Sequence, residues 1–109
     1  MSYSVKTLDV FEKQAKRLIK KYASLKNELL ELVGQLKENP EIGTPIGSSC
    51  YKIRLAIASK GKGKSGGARV IINIVLTEND VYLLAIYDKS EKENLSPKEL
   101  QELLKAVPE

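Results

Sequence analysis

The fold is decided by Cys50-Tyr-Lys-Ile-Arg-Leu-Ala-Ile-Ala58, then Ala68-Arg-Val-Ile-Ile-Asn-Ile-Val-Leu76, then Val81-Tyr-Leu-Leu-Ala-Ile-Tyr87. In the first segment Tyr51, Ile53, Leu55 and Ile57 alternate with Lys52 and Arg54. That is the period of a half-buried strand with its cations on the opposite face. The second segment is rich in β-branched residues with little polar alternation, as expected of a strand covered on both sides. Glu78-Asn-Asp80 reads as a turn into the third. Three successive strands with short connections predict an antiparallel meander.

Upstream, Ser2–Thr7 alternates as a short strand, and Asp9 with Glu12 has the spacing of a capping box for a helix running to about Tyr22. Phe11, Ala15, Leu18, Ile19 and Tyr22 form its apolar stripe, while Lys13, Lys16, Arg17, Lys20 and Lys21 crowd the rest. Ser24 can cap a second helix, with Leu25, Leu29, Leu32, Val33 and Leu36 inward, that ends near Asn39-Pro40. The connection is short enough to force an antiparallel helical hairpin. Glu41–Ser49, carrying Gly43, Pro45 and Gly47, reads as a loop. Downstream, Ser96 is an N-cap, Pro97 the first helical residue and Glu99 the reciprocal cap, with Leu95 and Leu100 as a hydrophobic staple. The expected class is therefore α+β, ordered β-α-α-β-β-β-α, as one domain over residues 1–109 with the meander packed on the helical hairpin.

Charge is distributed unevenly over this frame. From Ile42 to Thr77 there is no Asp or Glu, yet Lys52, Arg54, Lys60, Lys62, Lys64 and Arg69 all fall there. Three of these lysines sit in the glycine-rich loop Ser59-Lys-Gly-Lys-Gly-Lys-Ser-Gly-Gly67. A cationic loop on a sheet without a sequence-local carboxylate suits a polyanion. The net charge of +4 points the same way more weakly.

The absences narrow the chemistry. With no histidine and a single cysteine, Cys50, the chain has no histidine-based triad, no His-ligated zinc site and no internal disulfide. The acidic residues show no chelating cluster, so neither metal nor cofactor is expected. Cys50 reads as a packing residue in a reducing compartment. The absence of a long apolar run leads to the expectation of a cytoplasmic protein with no membrane partner. Ala58-x4-Gly63-Lys64-Ser65 fits a relaxed phosphate-loop pattern, but a β-branched strand follows where that motif needs a helix. The motif is rejected.

The element order, with Tyr51-Lys-Ile-Arg-Leu55, Gly61-Lys-Gly-Lys-Ser-Gly-Gly-Ala-Arg-Val-Ile71 and Tyr82-Leu-Leu-Ala-Ile-Tyr-Asp-Lys-Ser-Glu-Lys-Glu-Asn-Leu-Ser96, resembles the RelE/ParE superfamily of type II toxin–antitoxin toxins. The HigB-like branch is nearest. The resemblance implies an endoribonuclease that enters the ribosomal A site, cuts mRNA there, and is silenced by a cognate antitoxin. For the HigB-like branch it implies a helix-turn-helix DNA-binding antitoxin. It also places a phosphate-contacting arginine at Arg69 and RNA-holding cations at Lys52 and Arg54. Arginine at 54 keeps the charge but cannot accept a proton. Lys89 and Lys92 flank Ser90, where the family carries an arginine, and are expected to assist. Ser96 stands near the place of a functional tyrosine and departs from that pattern.

Lys60, Lys62 and Lys64 are expected to hold ribosomal RNA, and Tyr87 to stack on a base. Each candidate has a plain rival reading: a solvated sheet face for Lys52 and Arg54, a strand-end cation for Arg69, a core tyrosine for Tyr87, a solvated helix face for the first-helix lysines. Two functional rivals share the fold: a ParE-like gyrase inhibitor, and a catalytically silent RNA- or protein-binding module.

Overall fold

The computed structural model describes residues 2–108. The order is β1 (Ser4–Thr7), α1 (Asp9–Lys21), α2 (Leu25–Glu38), β2 (Thr44–Gly47), β3 (Cys50–Leu55), β4 (Ala68–Val75), β5 (Asp80–Asp88) and α3 (Pro97–Lys105). Short 3-10 turns at Ala58–Lys60, Lys64–Gly66 and Leu76–Glu78 join them. The five strands form one sheet in the order β1-β5-β4-β3-β2. The meander expected from β3, β4 and β5 is present, and β1 adds to β5 in parallel.

Burial divides the sheet into two faces. On one, Phe11, Leu18, Leu25, Leu32 and Leu36 of the helical hairpin pack on Ile53, Val70, Ile72, Leu83 and Ile86. On the other, Cys50, Ile71, Leu84, Ala85 and Tyr87 form a second cluster with Leu100 of α3. With helices on both sides, all of β5 and nearly all of β4 is buried. Their apolar runs require this arrangement. A bulge pairs Ile71 with Ala85 but Ile72 with Leu83, leaving Leu84 as the extra residue. Leu84 and Ala85 thus both reach the α3 side.

Three local expectations need correction. Thr44–Gly47, read as loop, is an edge strand joined to β3 through Ser48 and Ser49, both left-handed at φ 53° and 58°. Pro45 is tolerated because its outer side has no strand neighbour. The buried Asn73 amide donates to the carbonyls of Ser48 (3.1 Å) and Ser49 (3.3 Å), fixing the turn. Asp9 does not cap α1. The cap position is Leu8, whose buried side chain and bond to the Leu83 carbonyl carry β1 straight into the helix. Ser24 stands at the head of α2 without capping a helical N–H, its hydroxyl meeting Glu28 (3.2 Å) and Ser59 (2.9 Å) instead. The α3 signal is met in full: Ser96 Oγ accepts from Glu99 N–H at 3.1 Å and Glu99 accepts from Ser96 N–H at 3.0 Å.

Candidate functional site

Register brings the cations of the middle strands to one face. Arg54 of β3 lies opposite Arg69 of β4, which lies opposite Tyr87 of β5; Lys52 lies opposite Ile71. Residues opposed in an antiparallel ladder point the same way. All therefore occupy the α3 side of the sheet, the convergence expected from the alternation in β3. Their availability differs.

Arg69 is a buried strut, 4% exposed, rather than a displayed fork. Its guanidinium donates to the carbonyls of Lys64 (2.8 Å), Ala68 (3.2 Å) and Ser65 (3.5 Å). The tight turn at Lys64–Gly66 leaves carbonyls needing donors, and Arg69 supplies them. Gly67 brings this loop against β3, where a Cβ would lie 2.1 Å from the Leu55 carbonyl oxygen. Arg69 thus shapes the glycine-lysine loop, and the expected phosphate fork is spent on backbone.

Lys60 is likewise committed, against the expectation that it holds ribosomal RNA. Its ammonium pairs with the fully buried Asp88 carboxylate and donates to Ser90 Oγ at 3.0 Å. Burial works against ionising Asp88, but Lys60, the Tyr22 hydroxyl and Ser90 outweigh it and hold the carboxyl well below the usual range. The carboxylate missing from the loop's own sequence arrives from β5, so the loop is neutralised at its first lysine. Lys92 is bonded to Glu99 at 2.6 Å, and that contact first, then the Ser96 cap, lowers Glu99 to about 2. Its expected catalytic charge is therefore engaged. Lys89 donates to the Glu93 carbonyl at 3.0 Å.

Tyr87 is 7% exposed, which removes its ring from base stacking. Among the described residues its buried hydroxyl has no hydrogen-bond partner within bonding geometry. Burial raises its pKa, with Arg69 and the nearby Leu95 backbone partly offsetting this. The hydroxyl is thus an idle donor beside a small cleft of about 220 Å³ lined by Lys52, Ile71 and the start of α3.

Lys52, Arg54, Lys62 and Lys64 make no ion pair among the described residues; Lys52 is half-buried and the others exposed. Lys52, Arg54 and Lys64 line one wall of a larger cleft of about 990 Å³. Its other wall is α2, with Glu31, Gly34, Gln35, Glu38 and Asn39. Sequence reasoning missed that wall, although those residues recur at helical spacing on the side of α2 away from its leucines. Among the described residues there is no cluster of three metal-ligating side chains. The site can place positive charge around an anion, with a hydroxyl donor close by.

The fold is shared with known toxins. The chain is similar to the isolated E. coli RelE toxin at 16% identity and TM-score 0.63, covering 97% of this chain and 100% of that one. It is also similar to the intact E. coli RelBE toxin–antitoxin complex (17%, 0.61, covering 80% and 96%). A third likeness is the RelBE2 toxin–antitoxin complex of Mycobacterium tuberculosis (15%, 0.59, covering 81% and 92%). The model of the RelE toxin of the RelE/RelB toxin–antitoxin system matches residues 8–108, and the chain belongs to that family of toxins. Among the described residues no helix is long and apolar enough to cross a membrane.

Proposed function

We propose that the protein is a ribosome-dependent endoribonuclease that cuts mRNA in the ribosomal A site and is silenced by a cognate antitoxin. Given the HigB-like strings, that partner is a helix-turn-helix DNA-binding protein. The observation that carries the reading is the gathering of Lys52, Arg54 and Lys64, all unpaired among the described residues, on one cleft. RNA supplies its own nucleophile: the 2′-hydroxyl attacks the adjacent phosphorus and the 5′-oxygen leaves, giving a cyclic phosphate and a new 5′-hydroxyl. The protein must align this attack, stabilise the extra charge on the phosphorane and move protons. None of these tasks requires a metal. Lys52, half-buried and central, is suited to the developing charge, with Arg54 and Lys64 holding the phosphates and Lys62 reaching ribosomal RNA. Tyr87, whose hydroxyl is held protonated by burial, lines the smaller cleft together with Lys52 and can supply a hydroxyl donor there.

The test adds purified protein to a translation reaction and maps mRNA 5′ ends, beside a gyrase supercoiling assay. Cuts in the A site are expected, falling about 10²–10³-fold in Lys52→Ala, the usual loss of one preorganised charge contact. Blocked supercoiling with intact mRNA would replace this reading with the ParE-like one. Silence in both assays would leave a binding module.

A further inference from the structure

The glycine-lysine loop is fastened at its base and folded at its tip. Its incoming limb meets the head of α2, where Ala58 N–H donates to Glu28 at 2.7 Å and Ser59 N–H to Ser24 Oγ at 2.9 Å. Its outgoing limb closes on β3 at Gly67, with Arg69 donating to the Lys64 and Ser65 carbonyls. The end of β5 joins the two limbs. Asp88 takes Lys60 of the first limb through its carboxylate. The next residue, Lys89, donates its backbone N–H to the Gly67 carbonyl of the second at 3.0 Å. At the tip the Lys62 stem lies across Gly66, where an added Cβ would stand 2.6 Å from Lys62 Cβ. Ser65 Oγ donates to the Lys62 carbonyl at 3.3 Å.

One lysine of this loop is sunk while two stand out. The Lys60 side chain is 9% exposed and its ammonium lies 5.6 Å from the centre of the Tyr22 ring. Lys62 and Lys64 are exposed and make no ion pair among the described residues. A segment carrying Gly61, Gly63, Gly66 and Gly67 loses much conformational freedom when it is ordered. Where the fold supplies that order in advance, the lysines meet an anion at lower cost.

We propose that Asp88 is a positioning residue for RNA: acting through Lys60, it closes the base of the loop and sets Lys62 and Lys64 to hold phosphates at the cleft that Lys64 lines. The inference rests on the nuclease reading for its ligand, single-stranded RNA. It gives a carboxylate the reverse of its simple electrostatic effect. A buried anion beside a polyanion site weakens binding by repulsion, or by masking the lysine it holds. On either ground its removal would tighten binding. Here its removal loosens binding, because the ammonium left behind has lost its counter-ion in a place with little water. The limb that carries Lys60 then leaves its seat, and the two displayed lysines lose their fixed spacing.

The test measures binding of a short labelled 2′-O-methyl oligoribonucleotide, which has no free 2′-hydroxyl and cannot be cut, to the full chain over a range of salt. Each phosphate contact on a single strand adds about 0.7 to the slope of log affinity against log salt, or about fourfold in affinity at about 0.15 M. Asp88→Asn is expected to lower the slope by about 0.7–1.4 and to raise Kd about four- to fifteenfold, the loss of one to two contacts. Lys60→Met/Asp88→Asn leaves no stranded ammonium, so it carries the test if the single variant fails to fold, and it should bind as weakly. Leu29→Ala, cut into the hairpin core away from the loop, should keep the wild-type slope and affinity. Circular dichroism at the assay temperature confirms that each variant is folded. Tighter binding in Asp88→Asn, wild-type affinity in the double variant, or an equal loss in Leu29→Ala would overturn the inference. So would a wild type that does not bind the oligonucleotide. The nuclease reading is judged apart, by cuts in the A site: cuts without this binding pattern leave that reading standing alone, and the pattern without cuts leaves this inference standing alone.

Discussion

Replacing Asp88 with Asn removes one charge from the middle of a buried network without changing its shape. The Asp88 side chain is 0% exposed and the Lys60 side chain 9%, so the substitution leaves an ammonium with little water and no counter-ion. Lys21, 3.9 Å away and already shared with Glu91, cannot help, being itself a cation. Breaking a buried pair by removing one partner costs about 3–5 kcal/mol, against a total stability of about 5–15 kcal/mol for a domain. With a urea m-value of about 1.5 kcal/mol/M, the midpoint should fall by about 2–3 M at unchanged m. Lys60→Met alone leaves the carboxylate its Tyr22 and Ser90 donors and should cost less. The double variant, with both charges gone, should be well above the sum of the singles, a coupling of about 2 kcal/mol or more. The pH dependence has a definite sign. The folded-state pKa of Asp88 is depressed, so its contribution is complete above the unfolded value near 4. It is lost as pH falls from there toward the depressed folded value, and Asp88→Asn should flatten that acid limb. A loss under about 1 kcal/mol, or strict additivity in the double variant, would refute the argument that this pair is buried and mutually dependent.

Arg69→Met should release the glycine-lysine loop from three carbonyl contacts, with trypsin cutting after Lys62 or Lys64 at least tenfold faster while the far-UV spectrum holds. Unchanged proteolysis would mean the loop is fixed without it. Gly67→Ala should destabilise by about 2 kcal/mol or more in thermal melts, because its methyl meets the Leu55 carbonyl. Ser49→Gly should raise stability by up to about 1 kcal/mol, because relief of about 1–2 kcal/mol of left-handed strain outweighs glycine's entropic cost of about 0.5–1 kcal/mol. Glu99, depressed to about 2, should help hold the start of α3 at pH above about 4. That help fades toward about 2, visible as exchange protection lost at Glu99 and Leu100 amides.

What could be read in advance was local. The Lys52/Arg54 alternation fixed which face of β3 is open, and Ser96-Pro97-Lys98-Glu99 contains its own cap, all within one helical turn. β2 was hidden because Pro45 and two glycines argue for loop, while its reason to exist is a partner strand and a turn pinned by Asn73 far along the chain. Which of the candidate cations are engaged was hidden in the same way. Whether a lysine is free depends on what stands opposite it, and Asp88 lies 28 residues from Lys60. Arg69 was misjudged although its acceptors are close in sequence, because the turn that exposes those carbonyls is itself a product of Gly61, Gly63 and Gly67 packing. The α2 wall went unnoticed because a polar helix stripe looks like a solvated surface until β3 is set across from it.

The parallel pairing of β1 with β5 sets a schedule for the newborn chain. The first strand made, Ser4–Thr7, waits for the last, Asp80–Asp88, before it has a neighbour. Because Asp88, which anchors Lys60, is the final residue of that same strand, the basic loop cannot be tied down any earlier. The sheet therefore stays incomplete during synthesis until β5 has been made. One pairing, between strands more than seventy residues apart, then both completes the sheet and brings the anchor for the basic loop.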